Sequence, residues 1–361
     1  MPSAEPTATA AAAATQPVPT STYRTGVSAG TIDVTTFPTS EAPISGRDGA
    51  SGVWTGDEVI IWGGEAPDGA RGDGAAYDPV RDTWRPIADG PLTPRGWQES
   101  TWTGSEMLIW GRTHRGRDAP AGERWLSDGA AYDPATDRWR RIADAPLAGR
   151  QQFASVWTGT EWLIAEFPGL DGPPTTYVAT YDPVSDTWRS LPSLDGVEWL
   201  GMAAWAGDRP ILAVGSDAGE IFYGHVPGDA GWVESTSPDG LLVSAPVGWT
   251  GDQLIVICRQ DQWFFLCALD PTSRTWEVLA QPPSYAGGSR PVWTGEHFLF
   301  PQRGLSYDST TGSWFTFDPP EGIDLSEEVA VWAGDRLVVW GGNGGDGSPR
   351  RPDGIVVVPE W

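Results

Sequence analysis

The sequence has no lysine, one asparagine (Asn343), three histidines and two cysteines in 361 residues. Without lysine, all 23 Lys/Arg positions are arginine, set against 48 acidic residues for a net charge of −25. This is the composition of a GC-rich genome, with a salt-adapted proteome as the competing reading. A chain this acidic repels polyanions, which argues against nucleic acid or an anionic membrane surface as its general partner. The histidines, His114, His225 and His297, fall in different repeats and show no zinc-ligand spacing, so neither metal nor cofactor is expected. Cys258 and Cys267 stand nine apart around one expected hairpin. Two readings stay open for them, a disulfide or a pair of buried thiols. Neither cysteine has the His and Asn/Asp neighbours of a thiol nucleophile. Residues 1–22 are Ala, Thr and Pro without pattern, lacking both a basic start and an apolar signal-peptide core. They read as an extended tail, either one left after removal of a signal or anchor or an ordinary disordered terminus. The expected location is the cell envelope or the extracellular space, with the cytoplasm as alternative, and no membrane insertion is expected.

What the chain does contain is repetition. Trp-Thr-Gly or Trp-Ala-Gly occurs at Trp54, Trp102, Trp157, Trp205, Trp249, Trp293 and Trp332, at steps of 48, 55, 48, 44, 44 and 39 residues. Such a period points to a propeller with one blade per repeat. Within a repeat, the Trp-Thr strand (a) is followed by an apolar strand b, such as Val59-Ile60-Ile61-Trp62-Gly63-Gly64. After a variable loop, strand c carries Tyr77-Asp78-Pro79, and Trp84 on strand d lies seven residues beyond Tyr77. The same spacing joins Tyr132 to Trp139, Tyr181 to Trp188, Leu269 to Trp276 and Tyr307 to Trp314, whereas Trp232 comes two residues late. Asp-Pro followed by Asp or Gly is turn chemistry, because proline fixes φ and Asp or Gly accepts the turn geometry. The seventh repeat ends after strand c, and Thr31 to Pro38 reads as an unpartnered strand d. Together they close a ring of seven four-stranded antiparallel blades, an all-β fold occupying residues 31–361.

An apolar strand ending in Gly-Gly, a Tyr-Asp-Pro and a Trp seven residues on resemble the kelch repeat, across residues 31–361. The doublet is complete at Gly63-Gly64 and Gly341-Gly342, while repeat two has Gly111-Arg112. The resemblance implies that strand a lines a central channel. Of 22 tryptophans, sixteen occupy repeated positions and are read as filler between blades rather than as sugar-stacking surfaces. Kelch-type propellers include copper oxidases similar to galactose oxidase, whose two-His, two-Tyr centre has no counterpart here. They also include a sialic-acid mutarotase, whose chemistry implies an arginine and an acid/base such as Glu198 or Glu99.

In this topology the d–a and b–c loops share one face. The b–c loops are long in repeats seven, one, two and three, which are neighbours in the ring. Seven residues before the strand-a tryptophan stand Arg47, Arg95 and Arg150, but Glu198, Leu242, Ala286 and Leu325 in repeats four to seven. Three convergent guanidiniums suggest an anionic ligand. In kelch adaptors a similarly placed arginine contacts acidic peptides. The alternative is internal pairing with carboxylates such as Asp48. The expected ligand site comprises Arg47, Arg95, Arg150, Trp97, Gln151, Glu198 and Trp199. The expected function is a non-catalytic, monomeric binding propeller for a peptide or glycan, with a sugar-processing enzyme as the alternative.

Overall fold

The computed structural model describes residues 28–112, 125–149, 152–167, 175–197, 199–216, 219–225, 231–236, 242–260, 263–284, 291–319, 328–342 and 353–361. The expected tail, residues 1–22, lies outside them. The chain is an all-β propeller, with one 3-10 turn, Pro301–Arg303, among the described residues. The described residues form six four-stranded antiparallel sheets, one five-stranded sheet and a two-stranded ribbon, Glu65–Ala66 with Gly69–Ala70. Numbering blades by repeat, blade 1 comprises Ser51–Trp54, Val59–Trp62, Gly74–Asp78 and Thr83–Pro86, paired in that order. The innermost strand of each blade touches that of the next, and Glu328–Trp332 of blade 7 touches Ser51–Trp54 of blade 1. The array therefore closes on itself.

The N-terminal strand, Asp33–Pro38, pairs antiparallel with Gly354–Glu360 and supplies strand d of blade 7. The preceding residues do something the repeat pattern did not forecast. Ser28–Thr31 forms a separate strand, parallel to Ser313–Thr316, on the outer edge of blade 6. Ile32, between the two strands, is buried against Leu299 and Phe317. One short segment thus spans two blades and covers an otherwise open edge.

The tryptophans explain why blades pack face to face. Trp62, Trp110 and Trp340 on strand b are at most 1% exposed. Each meets the strand-d tryptophan of the following blade: Trp62 with Trp139, Trp110 with Trp188, and Trp340 with Trp84, at centroid distances of 5.7, 6.4 and 6.1 Å. The apolar core is accordingly cut into slabs shared by neighbours, such as Ile60 and Trp62 with Met107 and Tyr132. Trp162, outside the sixteen repeated positions, is also fully buried, in the slab between blades 2 and 3.

Polar contacts repeat with the same register. The strand-d indole N–H donates to a carbonyl just past strand d of the preceding blade: Trp84 to Ser40, Trp139 to Ala88, Trp188 to Ala143, and Trp314 to Ala280, at 2.8–2.9 Å. Asp82, Asp137 and Asp186, all at positive φ, accept the backbone N–H of Ser40, Ala88 and Ala143 and the hydroxyl of Tyr77, Tyr132 and Tyr181. Burial and the facing aspartate push the Tyr132 hydroxyl up to about 12, against the pull of Arg85. Thr55, Thr103, Thr158, Thr250 and Thr294 close the a–b turns of five blades by accepting a backbone N–H three residues on, while blades 4 and 7 have Ala206 and Ala333 in this place. The glycine after each threonine sits near φ +100, as at Gly56, which explains the Trp-Thr-Gly signature.

Blade 4 departs in an informative way. Tyr77 faces Trp84 in register in blade 1, whereas the two-residue lag places His225 opposite Trp232. The indole of Trp232 still donates to the preceding blade, at Pro192, so the inter-blade bond survives the insertion. Cys258 and Cys267, buried on adjacent strands of blade 5, form a disulfide with a Cα separation of 5.9 Å.

Truncating a strand-b tryptophan removes contacts from two blades at once. Trp110→Ala is expected to cost about 3–5 kcal/mol in denaturant unfolding. Val184→Ala, at a residue 94% exposed on a turn tip, is expected to change stability by less than about 0.5 kcal/mol. Equal effects would contradict the slab description of the core.

Candidate functional site

The loop face is built around two arginines held in closely similar environments, each by an aspartate, two loop carbonyls and a hydroxyl residue two positions before it. Arg47 donates from Nε to the Ser45 carbonyl at 2.8 Å and from Nη1 to the Gly63 carbonyl at 3.2 Å. Its Nη1 and Nη2 grip the two carboxylate oxygens of Asp73 at 2.7 and 3.2 Å, and Nη2 also reaches Ser45 Oγ. In the next blade Arg95 donates to the Thr93 carbonyl and hydroxyl, to the carbonyls of Gly111 and Asp128, and pairs with Asp128 Oδ1 at 2.9 Å. Gly63 and Gly111 end strand b, and Asp73 and Asp128 immediately precede strand c. Each guanidinium therefore ties down the base of a b–c loop, where the two strands part and leave carbonyls without ladder partners.

This position corrects the expectation that Arg47 and Arg95 offer guanidiniums to a ligand. Both side chains are 0% exposed, and their donors are spent inside the protein. They follow the alternative of internal pairing, with Asp73 and Asp128 rather than Asp48 as partners. Their coincidence with the long loops has a structural cause. In blades 4, 5 and 6 strands b and c stay paired to the hairpin end, at Ser216 with Gly219, Gln260 with Trp263 and Phe300 with Leu305. No parted strand ends need a clamp there. The signal that could have revealed this is Asp-Gly-Ala-Ala-Tyr-Asp-Pro, which begins at Asp73 and at Asp128.

The clamp also crosses between blades. The Arg95 carbonyl accepts the N–H of Gly64, and the Arg47 carbonyl accepts that of Gly342. Both glycines have positive φ, and a Cβ on Gly64 would lie 2.8 Å from the Asp48 carbonyl oxygen. The Gly-Gly doublet of one blade is thus the docking point for the arginine segment of the next.

Of the other expected site residues, Trp97 is half-buried at φ +52, with its ring laid over Gly49 and its N–H bonded to the Gly49 carbonyl. The backbone of Trp199 starts the first strand of blade 4, opposite Gly215. Arg150, Gln151 and Glu198 lie outside the described residues. The segment just before Arg150 is held by fully buried Glu166, whose carboxylate accepts the N–H groups of Ala148 and Gly149.

A cluster not foreseen as a unit lies between blades 2 and 3 at the channel end of the loop face. Glu99 Oε2 accepts the Ser155 hydroxyl at 2.6 Å, and the Arg112 guanidinium lies 5.3 Å from the Phe153 ring centroid. All four residues are half-buried. Burial lowers the Arg112 pKa, and the charge of Glu99 opposes that shift.

Two grooves border these elements. One of about 540 Å³ lies on the loop face between blades 1 and 2, lined by Ser45, Arg71, Asp73, Leu92 and Pro94 among others. One of about 600 Å³ lies on the opposite face between blades 2 and 3, lined by Glu106, Trp157, Glu161 and Val184 among others. In the second, Glu106 and Glu161 are paired with Arg140 and Arg189, and Asp182 accepts the Val184 N–H and the Ser185 hydroxyl, so it is formed by scaffold groups already partnered. Among the described residues, no three His, Cys, Asp or Glu side chains are grouped to hold a metal, and no helix is long and apolar enough to cross a membrane. His297 instead stacks on Trp361 with centroids 3.8 Å apart. The fold places the chain in the broad class of β-propellers. No protein-family model matches it, and no curated protein matches it in sequence.

Removing the Arg95 guanidinium strips the Thr93, Gly111 and Asp128 carbonyls and the Thr93 hydroxyl of a donor, while Asp128, 31% exposed, keeps Arg141 as a partner. Arg95→Met is expected to cost about 1–3 kcal/mol in equilibrium unfolding. A loss below about 1 kcal/mol would show that the guanidinium is not buried as described. The pairs also set acid sensitivity. Burial raises the carboxyl pKa of Asp73 and Asp128, but the arginine hydrogen bonds and charges outweigh it and hold both below the ordinary 3.8. A depressed folded-state pKa stabilises the native state above the ordinary carboxylate value, and that contribution is lost as pH falls through the lowered one. Stability should therefore drop as pH falls below about 4, with a shallower slope in Asp128→Asn, checked by urea melts across the acid range.

Proposed function

We propose that the chain is a non-catalytic binding propeller, a seven-bladed kelch-type ring in which the five-stranded sheet is blade 6 carrying an extra edge strand. It engages a peptide or glycan through the loop face over blades 7, 1, 2 and 3. The observation that carries this reading is the asymmetry of the two faces. One is built from short a–b and c–d turns closed by the same Thr, Asp and Tyr contacts in blade after blade. The other invests buried arginine clamps in holding long loops in place. Preorganised loops on a rigid ring lower the ordering cost of binding a partner. The groove between blades 1 and 2 lies on this face. With Arg47 and Arg95 committed internally, an anionic ligand would have to rely on other cations of the face, such as the partly exposed Arg71. A disulfide-bonded chain fits an oxidising location such as the cell envelope.

The test is a combined peptide and glycan array, followed by titration of the strongest hit. Arg71→Glu on the loop face should weaken it by at least about tenfold, and Val184→Arg on the turn face should leave it unchanged. The reverse pattern would move the site to the other face. Accelerated anomer exchange or cleavage of a bound sugar, followed by NMR, would overturn the non-catalytic reading.

A further inference from the structure

The glycine doublet of blades 1 and 7 is broken in blade 2 by one residue. Gly64 and Gly342 have φ of +100° and +78°, and Arg112 takes the same place at +40°. An L side chain there is strained, whereas blades 1 and 7, whose b–c loops also open at this point, place glycine there. Strain of this kind collects where a side chain has a task beyond packing. The guanidinium is carried to the channel end of the loop face, over Phe153 of the next blade. In the same blade Glu99 lies opposite Trp110, two residues before Arg112, at the start of an innermost strand. The equivalent residues of blades 1, 3, 4, 5 and 7 are Ser51, Ala154, Met202, Pro246 and Val329, so no carboxylate is required there by the repeat. Ser155, two residues past Phe153 and on the same side of its strand, bonds to that carboxylate. Two departures from the repeat therefore meet between the same two blades.

Their charges decide the ligand class. Arg112 feels the charge of Glu99, as Arg47 and Arg95 are matched by Asp73 and Asp128. An incoming anion would gain from the guanidinium and lose to the carboxylate. A hydroxyl both donates and accepts, so two neighbouring hydroxyls can donate to a carboxylate and accept from a guanidinium at once. We propose that Glu99 and Arg112, with Ser155, form a subsite for a neutral polyhydroxylated ligand, a saccharide presenting a vicinal diol at the mouth between blades 2 and 3. The proposal rests on the loop-face binding reading and narrows its ligand to neutral glycan.

The probes are neutral hexasaccharides (β-1,4-glucan, β-1,3-glucan, α-1,4-glucan and β-1,4-mannan) set against hexagalacturonate and a hexaglutamate peptide. Binding to the full chain is read by saturation-transfer NMR and calorimetry at low salt. At least one neutral hexasaccharide should bind, and Glu99→Gln and Arg112→Gly should each weaken it on the order of tenfold or more. Arg112→Gly restores the doublet, so its melting temperature should equal or exceed that of the parent while binding is lost. A purely structural arginine would give the opposite, a lower melting temperature with binding intact. Failure of every neutral probe overturns the proposal. Binding of the acidic probes alone also overturns it, more plainly if Glu99→Gln strengthens them, yet leaves the loop-face reading standing. Turnover of a bound sugar would remove the non-catalytic reading and keep the subsite.

Discussion

A buried guanidinium tied to a partly exposed carboxylate and a set of carbonyls is the interaction on which the loop face depends. Burying such a charge is costly unless its donors are satisfied, and Arg47 and Arg95 reach that state with closely similar acceptors one blade apart. Each holds the end of strand b and the start of strand c in its own blade. Through its backbone carbonyl each also receives the glycine doublet of the blade before. Loop anchorage and blade docking are therefore one device.

The remaining ties between blades fall into a second, outer ring. Strand-d indoles and turn aspartates reach back to the backbone of the preceding blade, while strand-b tryptophans fill the slab between. In blades 1, 2, 3, 4 and 6 the strand-d indole completes a hydrogen bond of the preceding blade, and neighbouring blades share core. A propeller held in this way spends its repeated aromatic residues on closure. The proposed subsite at Glu99 and Arg112 falls where the repeat is broken.

Much of this was legible in the sequence because it is local. The Trp-Thr-Gly turn, the Tyr-to-Trp spacing and the split blade 7 rest on turn geometry and strand alternation, which act within a few residues. Ser28–Thr31 was not legible, since a parallel edge strand of Ser-Ala-Gly-Thr carries no side-chain pattern. The arginines show the sharper limit. Their place on the arc of long loops was visible, but burial was not, because an arginine that binds a ligand and one that clamps a loop occupy the same spacing. The distinguishing clue lay some 26 residues from Arg47, at Asp73. Glu99 was visible only as one of two acids, and Arg112 only as a defect in a doublet. That Ser155 and Phe153 join them depends on how blades 2 and 3 pack.

The central claim, that the repeated arginines are internal clamps, is tested most directly by arginine modification with phenylglyoxal, mapped by mass spectrometry on the folded chain. Arg81 and Arg189, with side chains 78% and 58% exposed, should react readily. Arg47 and Arg95 should stay unmodified until the protein unfolds. Native-state reaction of Arg47 and Arg95 at the rate of the exposed pair would contradict the account and return both residues to the binding surface.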